Sequence, residues 1–434
     1  MAGAATQLVG ILSGIVQARS LGPDGKSVLA YALVGLAMVL TATDGLTAAV
    51  LTQAGRDKRT VSVVNAALLR VVTRIGVPVT LLVLGAGVAF PSQRPLIGAA
   101  LAIPFALYVQ GTRGIFLAAG AAQALIVVDA MNSSIFGLLL IPLLAFGHLG
   151  AYQVLAFWVI AWMGSATFAR YACRRLEQDR GLPKTADVRT AFGEQLQRGM
   201  RNGGAMLAGY LNLRIDVFLV SAVLGARELG LYTLAIASAE LLWGLSLPVV
   251  WSTLDRVAGA PFAEAAAFVV RVTRNVFAVQ IVLGVIAAAL GPTLIALVYG
   301  SRFAPSGLVL QLLIPGTAIY AARSLMGYFI LVRLDRPFLL MATQTASALL
   351  CAAISFAMFP VYGIAGAAIA TSVTYTLVVI VLAAIFCRAT GTRPAALLGP
   401  TRDDLRWYGE KARSIAASRL LWKARKPAGS VNLS

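Results

Sequence analysis

The chain is poor in charge, in histidine and in cysteine. Charged residues fill 12% of its 434 positions, about half the usual share of a soluble domain. That shortage excludes a solvated globular surface over most of the chain. The single histidine, His148, and the three cysteines, Cys173, Cys351 and Cys387, have no metal-ligand spacing, so no metal site is expected. The cysteines read as small core residues and His148 as part of an external turn. Nucleotide-binding and nucleophile motifs are also missing. Every external loop is too short to carry a catalytic site, so the chain reads as a non-enzyme without a cofactor.

What is present is apolar length. Hydrophobic residues make up 59% of the sequence, and the mean hydropathy is +0.83. A spanning helix needs about 20 apolar residues, and about twelve such segments can be drawn: 3–18, 27–51, 73–90, 95–112, 122–146, 150–171, 203–224, 229–251, 275–298, 307–331, 338–358 and 362–386. The fold class is an all-α polytopic membrane protein. The net charge of +19, from 36 basic and 17 acidic residues, would suggest nucleic acid in a soluble protein. Here the placement of the basic residues gives another reason. The loops after even-numbered spans, with the tail, hold 29 of them, among them Arg70, Arg74 and Arg113, and the opposite loops hold 5. By the positive-inside rule both termini are cytoplasmic, and no nucleic-acid partner is expected.

A charged loop divides the chain into an N-terminal six-helix lobe (1–172), a linker (173–202), a C-terminal six-helix lobe (203–387) and a basic tail (388–434). The lobes carry a faint repeat. Leu21-Gly22 is followed by Ser27 and then an aromatic-containing helix start, and Leu224-Gly225 is followed by Gly230 in the same way. Parallel repeats of this kind are a common transporter plan, with the substrate site between the halves. In the tail, Asp403 to Lys426 fits a basic helix with Leu405, Tyr408, Ala412 and Ile415 on one side. It is either a solvated tail or a helix on anionic headgroups.

Charges inside spans are costly, and they persist where they meet a partner or a watery cavity. Span seven contains Arg214 and Asp216. Residues two apart on a helix point to nearly opposite sides and residues four apart share a side. Arg214 thus goes with Tyr210 and Asp216 with Asn212, and the two charges are not expected to neutralise each other. Span ten places Gly316, Tyr320, Arg323 and Gly327 on one face. Arg323 there is either a cavity cation or a snorkelling interface residue. Four acids, Asp44, Asp129, Asp216 and Glu240, are candidates for ion coupling or for structural hydrogen bonding.

Several segments resemble one family. Ala18-Arg-Ser-Leu-Gly-Pro-Asp-Gly25, Arg214-Ile-Asp216 with Gly230-Leu-Tyr-Thr-Leu-Ala235, and Tyr299-Gly-Ser-Arg-Phe303 fall in the order and spacing of bacterial polysaccharide-unit flippases. Phe359-Pro-Val-Tyr-Gly-Ile-Ala-Gly-Ala-Ala-Ile-Ala-Thr371 is the most specific match. The sequence resembles the polysaccharide-transporter branch of the multidrug/oligosaccharidyl-lipid/polysaccharide (MOP) exporter superfamily. The resemblance implies two pseudo-symmetric lobes around a central cavity. It also implies an undecaprenyl-diphosphate-linked glycan as substrate, flipped in a bacterial plasma membrane for surface polysaccharide (O-antigen or lipopolysaccharide) synthesis. Cavity cations would meet the diphosphate. Arg19, Arg214 and Arg323, with Tyr320 beside the last, fill that role ahead of Lys26 and Arg113. Membrane lipids surround such a protein, and glycan polymerase or glycosyltransferases are its expected partners. The alternatives are a drug or metabolite exporter of the same superfamily, a membrane-embedded glycan polymerase or ligase, and a scaffold for glycan assembly.

Overall fold

The computed structural model describes residues 2–57, 59–90, 94–146, 150–177, 185–244, 246–399, 401, 404 and 406. His148 and the tail helix expected over 403–426, apart from Asp404 and Arg406, lie outside them. The first half contains α1 (Ala2–Ala42), α2 (Gly45–Leu51), α3 (Val61–Val71), α4 (Val77–Ala89), α5 (Leu96–Ala118), α6 (Ala122–Phe146) and α7 (Ala151–Leu176). The second contains α8 (Thr185–Val223), α9 (Ala226–Gly244), α10 (Leu247–Trp251), α11 (Leu254–Gly259), α12 (Phe262–Tyr299), α13 (Ser306–Ala321), α14 (Arg323–Val332) and α15 (Pro337–Thr390). Among the described residues there are no strands.

Ten helical stretches among the described residues are long and apolar enough to cross a membrane. Each overlaps a predicted span, and α1 and α15 each overlap two. Both of these turn at a glycine with positive φ, Gly22 (66°) and Gly363 (52°), a conformation that a Cβ disfavours. Pro23 follows the first turn and lacks the N–H that would continue the helix. The spacing seen in the repeat has a steric cause on the α9 side. A Cβ on Gly230 would lie 1.9 Å from the Pro23 carbonyl oxygen, so only glycine lets α9 pass the α1 turn.

Four boundaries differ from the sequence reading. The linker is helical from Thr185 onward. Val188 and Ala191 are buried against Val63 and Ala67 of α3, an amphipathic stripe at helical spacing that its surrounding charges conceal. Likewise α12 begins at Phe262, because Ala265, Ala266, Val269 and Val270 are buried along one face. Arg70 and Arg74 lie in the continuous stretch Val61–Ala89, and Arg113 lies in α5, so these three are helical and not in loops. Finally, span two breaks at Thr43-Asp44. A break within a membrane must find new partners for its backbone. Gln110 of α5 provides one, its Nε2 donating to Leu40 O at 3.0 Å, while Thr47 Oγ1 donates to Gln110 O at 2.9 Å.

Contacts group the chain into two compact units. The first comprises Met1–Glu240, Ala287–Ile314 and Pro337–Thr374, and the second Leu241–Ile286, Pro315–Arg336 and Tyr375–Ser434. The core of the first centres on α5, whose Ile103, Leu107, Ile115 and Phe116 are fully buried. Small residues permit that close packing: a Cβ on Gly114 would fall 2.5 Å from Thr47 O. In the second unit, Arg333 NH1 donates to Ala258 O at 2.8 Å, and Phe329 packs edge-on against Phe386 at 5.1 Å.

After α15 the chain turns at Gly391 and returns to α12. Asp404 is 3% exposed. It pairs with Arg274 and accepts hydrogen bonds from Thr401 N and Oγ1 at 2.9 Å each. The Arg274 hydrogen bond holds its carboxyl down, from an ordinary 3.8 to about 2. A folded pKa below the unfolded one adds stability that is present above pH 4 and lost as pH falls toward 2. Asp404→Asn is therefore expected to cost about 2 kcal/mol at neutral pH. Thermal melts of detergent-solubilised protein should show this gap at pH 7 and see it narrow below pH 4.

Candidate functional site

Within the first unit, α1, α8 and α9 enclose a cavity of about 300 Å³. Tyr210 and Arg214 are one turn apart on α8 and share its cavity face, as the spacing predicts. Thr233, Ala237 and Glu240 form the matching face of α9, and Lys26, Ala30 and Ala37 that of α1. Arg214 is bidentate to Glu240, with NH1–Oε1 at 2.6 Å and NH2–Oε2 at 3.0 Å, and the two side chains are 19% and 22% exposed. Tyr210 donates to Val34 O at 2.9 Å, tying α8 to α1. Lys26 has no hydrogen-bond or ion-pair partner among the described residues. The cavity therefore holds two cations and one carboxylate, with the surplus positive charge on Lys26. A surplus cation in a low-dielectric cavity favours an anion.

Asp216 points away from this cavity. It is 2% exposed and accepts from Tyr232 OH at 2.6 Å, Thr371 Oγ1 at 2.9 Å and its neighbour Val217 N at 2.8 Å. This is a buried network joining α8, α9 and α15. Its carboxylate already has three donors.

The second unit holds Arg323 and Tyr320. The Arg323 guanidinium lies 4.1 Å from the Tyr320 ring centroid. Tyr320 stacks on Tyr375 at 4.2 Å and meets Trp243 at 5.5 Å. Span ten is not one continuous helix, because α13 ends at Ala321 and Arg323 opens α14. Arg323 Nε is buried without a hydrogen-bond partner among the described residues, so cation–π attraction to Tyr320 is its main compensation there.

The remaining candidates are dispersed. Arg19 donates from Nε to Val298 O at 2.7 Å and from NH2 to Leu297 O at 2.8 Å, capping the last turn of α12 as a basic side chain at a helix C-terminus does. Asp129 pairs with Arg113 at 2.7 Å, both side chains more than 40% exposed. Asp44 and Arg113 line a second cavity of about 200 Å³ with Gln110 and Trp162. Among the described residues no group of three or more His, Cys, Asp or Glu could hold a metal ion.

The sequence reading ranked Lys26 below the arginines and placed it in an external turn. Its signal was the run Lys26, Ala30, Leu33, Ala37, one helical face opened by a cation. Glu240 as the partner of Arg214 had no comparable signal, since the register between α8 and α9 is set by packing.

No family model matches the sequence, and no curated protein does. Solved structures do match. An inward-facing multidrug resistance MATE-family transporter of the MOP superfamily has a TM-score of 0.70 at 15% identity, over 90% of this chain and 95% of that one. The lipid II flippase MurJ, in an inward closed conformation, has a TM-score of 0.71 at 14% identity, over 99% of this chain and 93% of that one. A MOP-superfamily transporter from Pyrococcus furiosus has a TM-score of 0.56 at 15% identity, over 92% and 94%. At such identities the likeness shows the fold alone: this chain has the helical fold of these MOP-superfamily structures.

Proposed function

We propose that this chain flips a lipid-linked oligosaccharide, carried on a polyprenyl diphosphate such as undecaprenyl diphosphate, from the cytoplasmic to the external leaflet of a bacterial plasma membrane. The product would feed surface polysaccharide synthesis, with polymerase and glycosyltransferases as partners. The observation that carries this reading is the α1–α8–α9 cavity, where Lys26, without a partner among the described residues, stands beside the Arg214–Glu240 pair. A diphosphate entering a low-dielectric cavity needs cationic donors. Lys26 offers a free one, and Arg214 offers a second when Glu240 is neutralised by a proton or a cation. That exchange gives Glu240 a coupling role. Arg323, cradled by Tyr320, is the cation assigned to the substrate in the second unit. Asp44 and Asp129 remain coupling candidates beside Arg113. Arg19 supports α12 in this conformation, and Asp216 holds helices together. Alternating access of two lobes, 1–172 and 203–387, moves the head group while the isoprenoid tail stays in lipid.

The MATE likeness motivates the drug-exporter reading. Cationic drugs call for buried acids without opposing cations, whereas Glu240 is neutralised by Arg214 and exceeded by Lys26. A deletion strain separates the two. Loss of surface glycan with unchanged drug susceptibility is the expected result, and sensitisation to cationic drugs with intact glycan would overturn the proposal.

A further inference from the structure

A cavity of about 490 Å³ lies in the second unit, and none of its lining residues is assigned to transport. Its two ends differ in character. At one end stand Arg256 and Arg271. Descending α12 from there, Phe268, Val272, Val279 and Leu283 form an apolar wall. Arg271 and Leu283 are 12 residues apart, about 18 Å along a helix axis, so the cavity is a long slot with a cationic mouth.

Neither mouth arginine is strongly committed. Arg256 reaches Glu264 at 3.2 Å with both side chains over half exposed, and its guanidinium lies 4.4 Å from the Phe268 ring. Arg271 is 60% exposed and stands 3.6 Å from Asp404 Oδ1, while Arg274 pairs with Oδ2. The Arg256–Glu264 pair is exposed and therefore weak, and the long contact to Asp404 leaves the Arg271 guanidinium exposed, so both can turn to a phosphate. Deeper in, Gln280 is 1% exposed and its Nε2 donates to Leu242 O at 2.6 Å, which leaves Oε1 buried without a partner among the described residues. Asn275 Oδ1 is orphaned in the same way. Buried orphan acceptors are uncommon. Two in one slot call for a ligand that brings hydroxyl or N–H donors.

We infer that this slot binds one phospholipid of the basic-loop leaflet, an anionic species with a hydroxyl-bearing glycerol head. Its phosphate sits between Arg256 and Arg271, its head-group hydroxyls reach Asn275, one turn below Arg271, and one acyl chain lies along Val272, Val279 and Leu283. The location fits, because anionic lipid is concentrated on the side of the membrane where basic loops gather. Free phosphate would leave the apolar wall and the orphan Asn275 acceptor unused.

The test is the thermal melt of the purified full chain in detergent, titrated with short-chain phosphatidylglycerol, short-chain phosphatidylcholine or inorganic phosphate. Phosphatidylglycerol should raise Tm by several degrees and saturate, while the other two leave it unchanged. Arg256→Gln with Arg271→Gln, both at exposed positions, should keep the unliganded Tm and abolish the lipid shift. If that variant melts early, Arg271→Gln alone should weaken phosphatidylglycerol binding at least tenfold. An undiminished shift in the variants would overturn the inference. So would an equal shift with phosphatidylcholine or with phosphate alone. Transport is not the readout, so failure here leaves the proposed substrate untouched, and the reverse also holds.

Discussion

Asp216→Ala is expected to remove most of the folded protein from the membrane. The substitution deletes the acceptor of a network in which Tyr232 is 0% and Thr371 3% exposed. Their hydroxyls, 2.6 and 2.9 Å from the carboxylate, would have only each other, 3.2 Å apart, so at least one buried donor is stranded at about 1–3 kcal/mol. With the cavity added, the cost is about 3–5 kcal/mol, a large part of the roughly 5–15 kcal/mol that holds a typical protein folded. Asp216→Asn keeps an acceptor and should lose far less. Fluorescence-detected size-exclusion and melting of the two variants measure this. Transport by folded Asp216→Asn separates the roles: near-normal rates mean the residue is structural, and a folded but inactive protein would return it to the coupling candidates.

Lys26→Gln is expected to do the opposite, sparing the fold and removing the activity. Lys26 has no partner to lose among the described residues, so Tm should hold within about a degree. A charge-assisted hydrogen bond is worth about 1.5–3 kcal/mol, so transport of a diphosphate-linked lipid should fall about 10- to 100-fold. Arg214→Gln should lower both transport and stability, because it strands the Glu240 carboxylate, and removing one member of a largely buried pair costs about 3–5 kcal/mol. Adding Glu240→Gln should restore most of the stability and none of the transport. That contrast distinguishes a substrate cation from a merely structural pair.

Much of the fold was legible because membrane helices announce themselves by length and apolar content. For the same reason the turn at Gly22 fell between predicted spans, and that at Gly363 fell at the very start of the last one. Helix spacing alone separated Arg214 from Asp216, and the structure sends one to a cavity and the other to a buried network. The linker helix was hidden because its buried face is short and mixed, Val188, Ala191, Phe192 and the polar Gln195 amid charges. The partners of the intramembrane charges were not legible at all. Nothing local in α8 says that Glu240 is the acid that faces Arg214, or that the Arg19 guanidinium is taken up by the carbonyls of Leu297 and Val298. Those pairings depend on how helices far apart in sequence are set against one another.

The central claim is that this fold carries an anionic lipid-linked head group through a cavity with a surplus cation. The most direct measurement reconstitutes the wild-type chain and Lys26→Gln in vesicles with a fluorescent polyprenyl-diphosphate oligosaccharide in one leaflet, and reads its appearance in the other. The account predicts protein-dependent flipping that drops at least tenfold in Lys26→Gln at equal reconstitution and equal Tm. Flipping at the wild-type rate by Lys26→Gln, or none by the wild type while a cationic drug is carried, would contradict it.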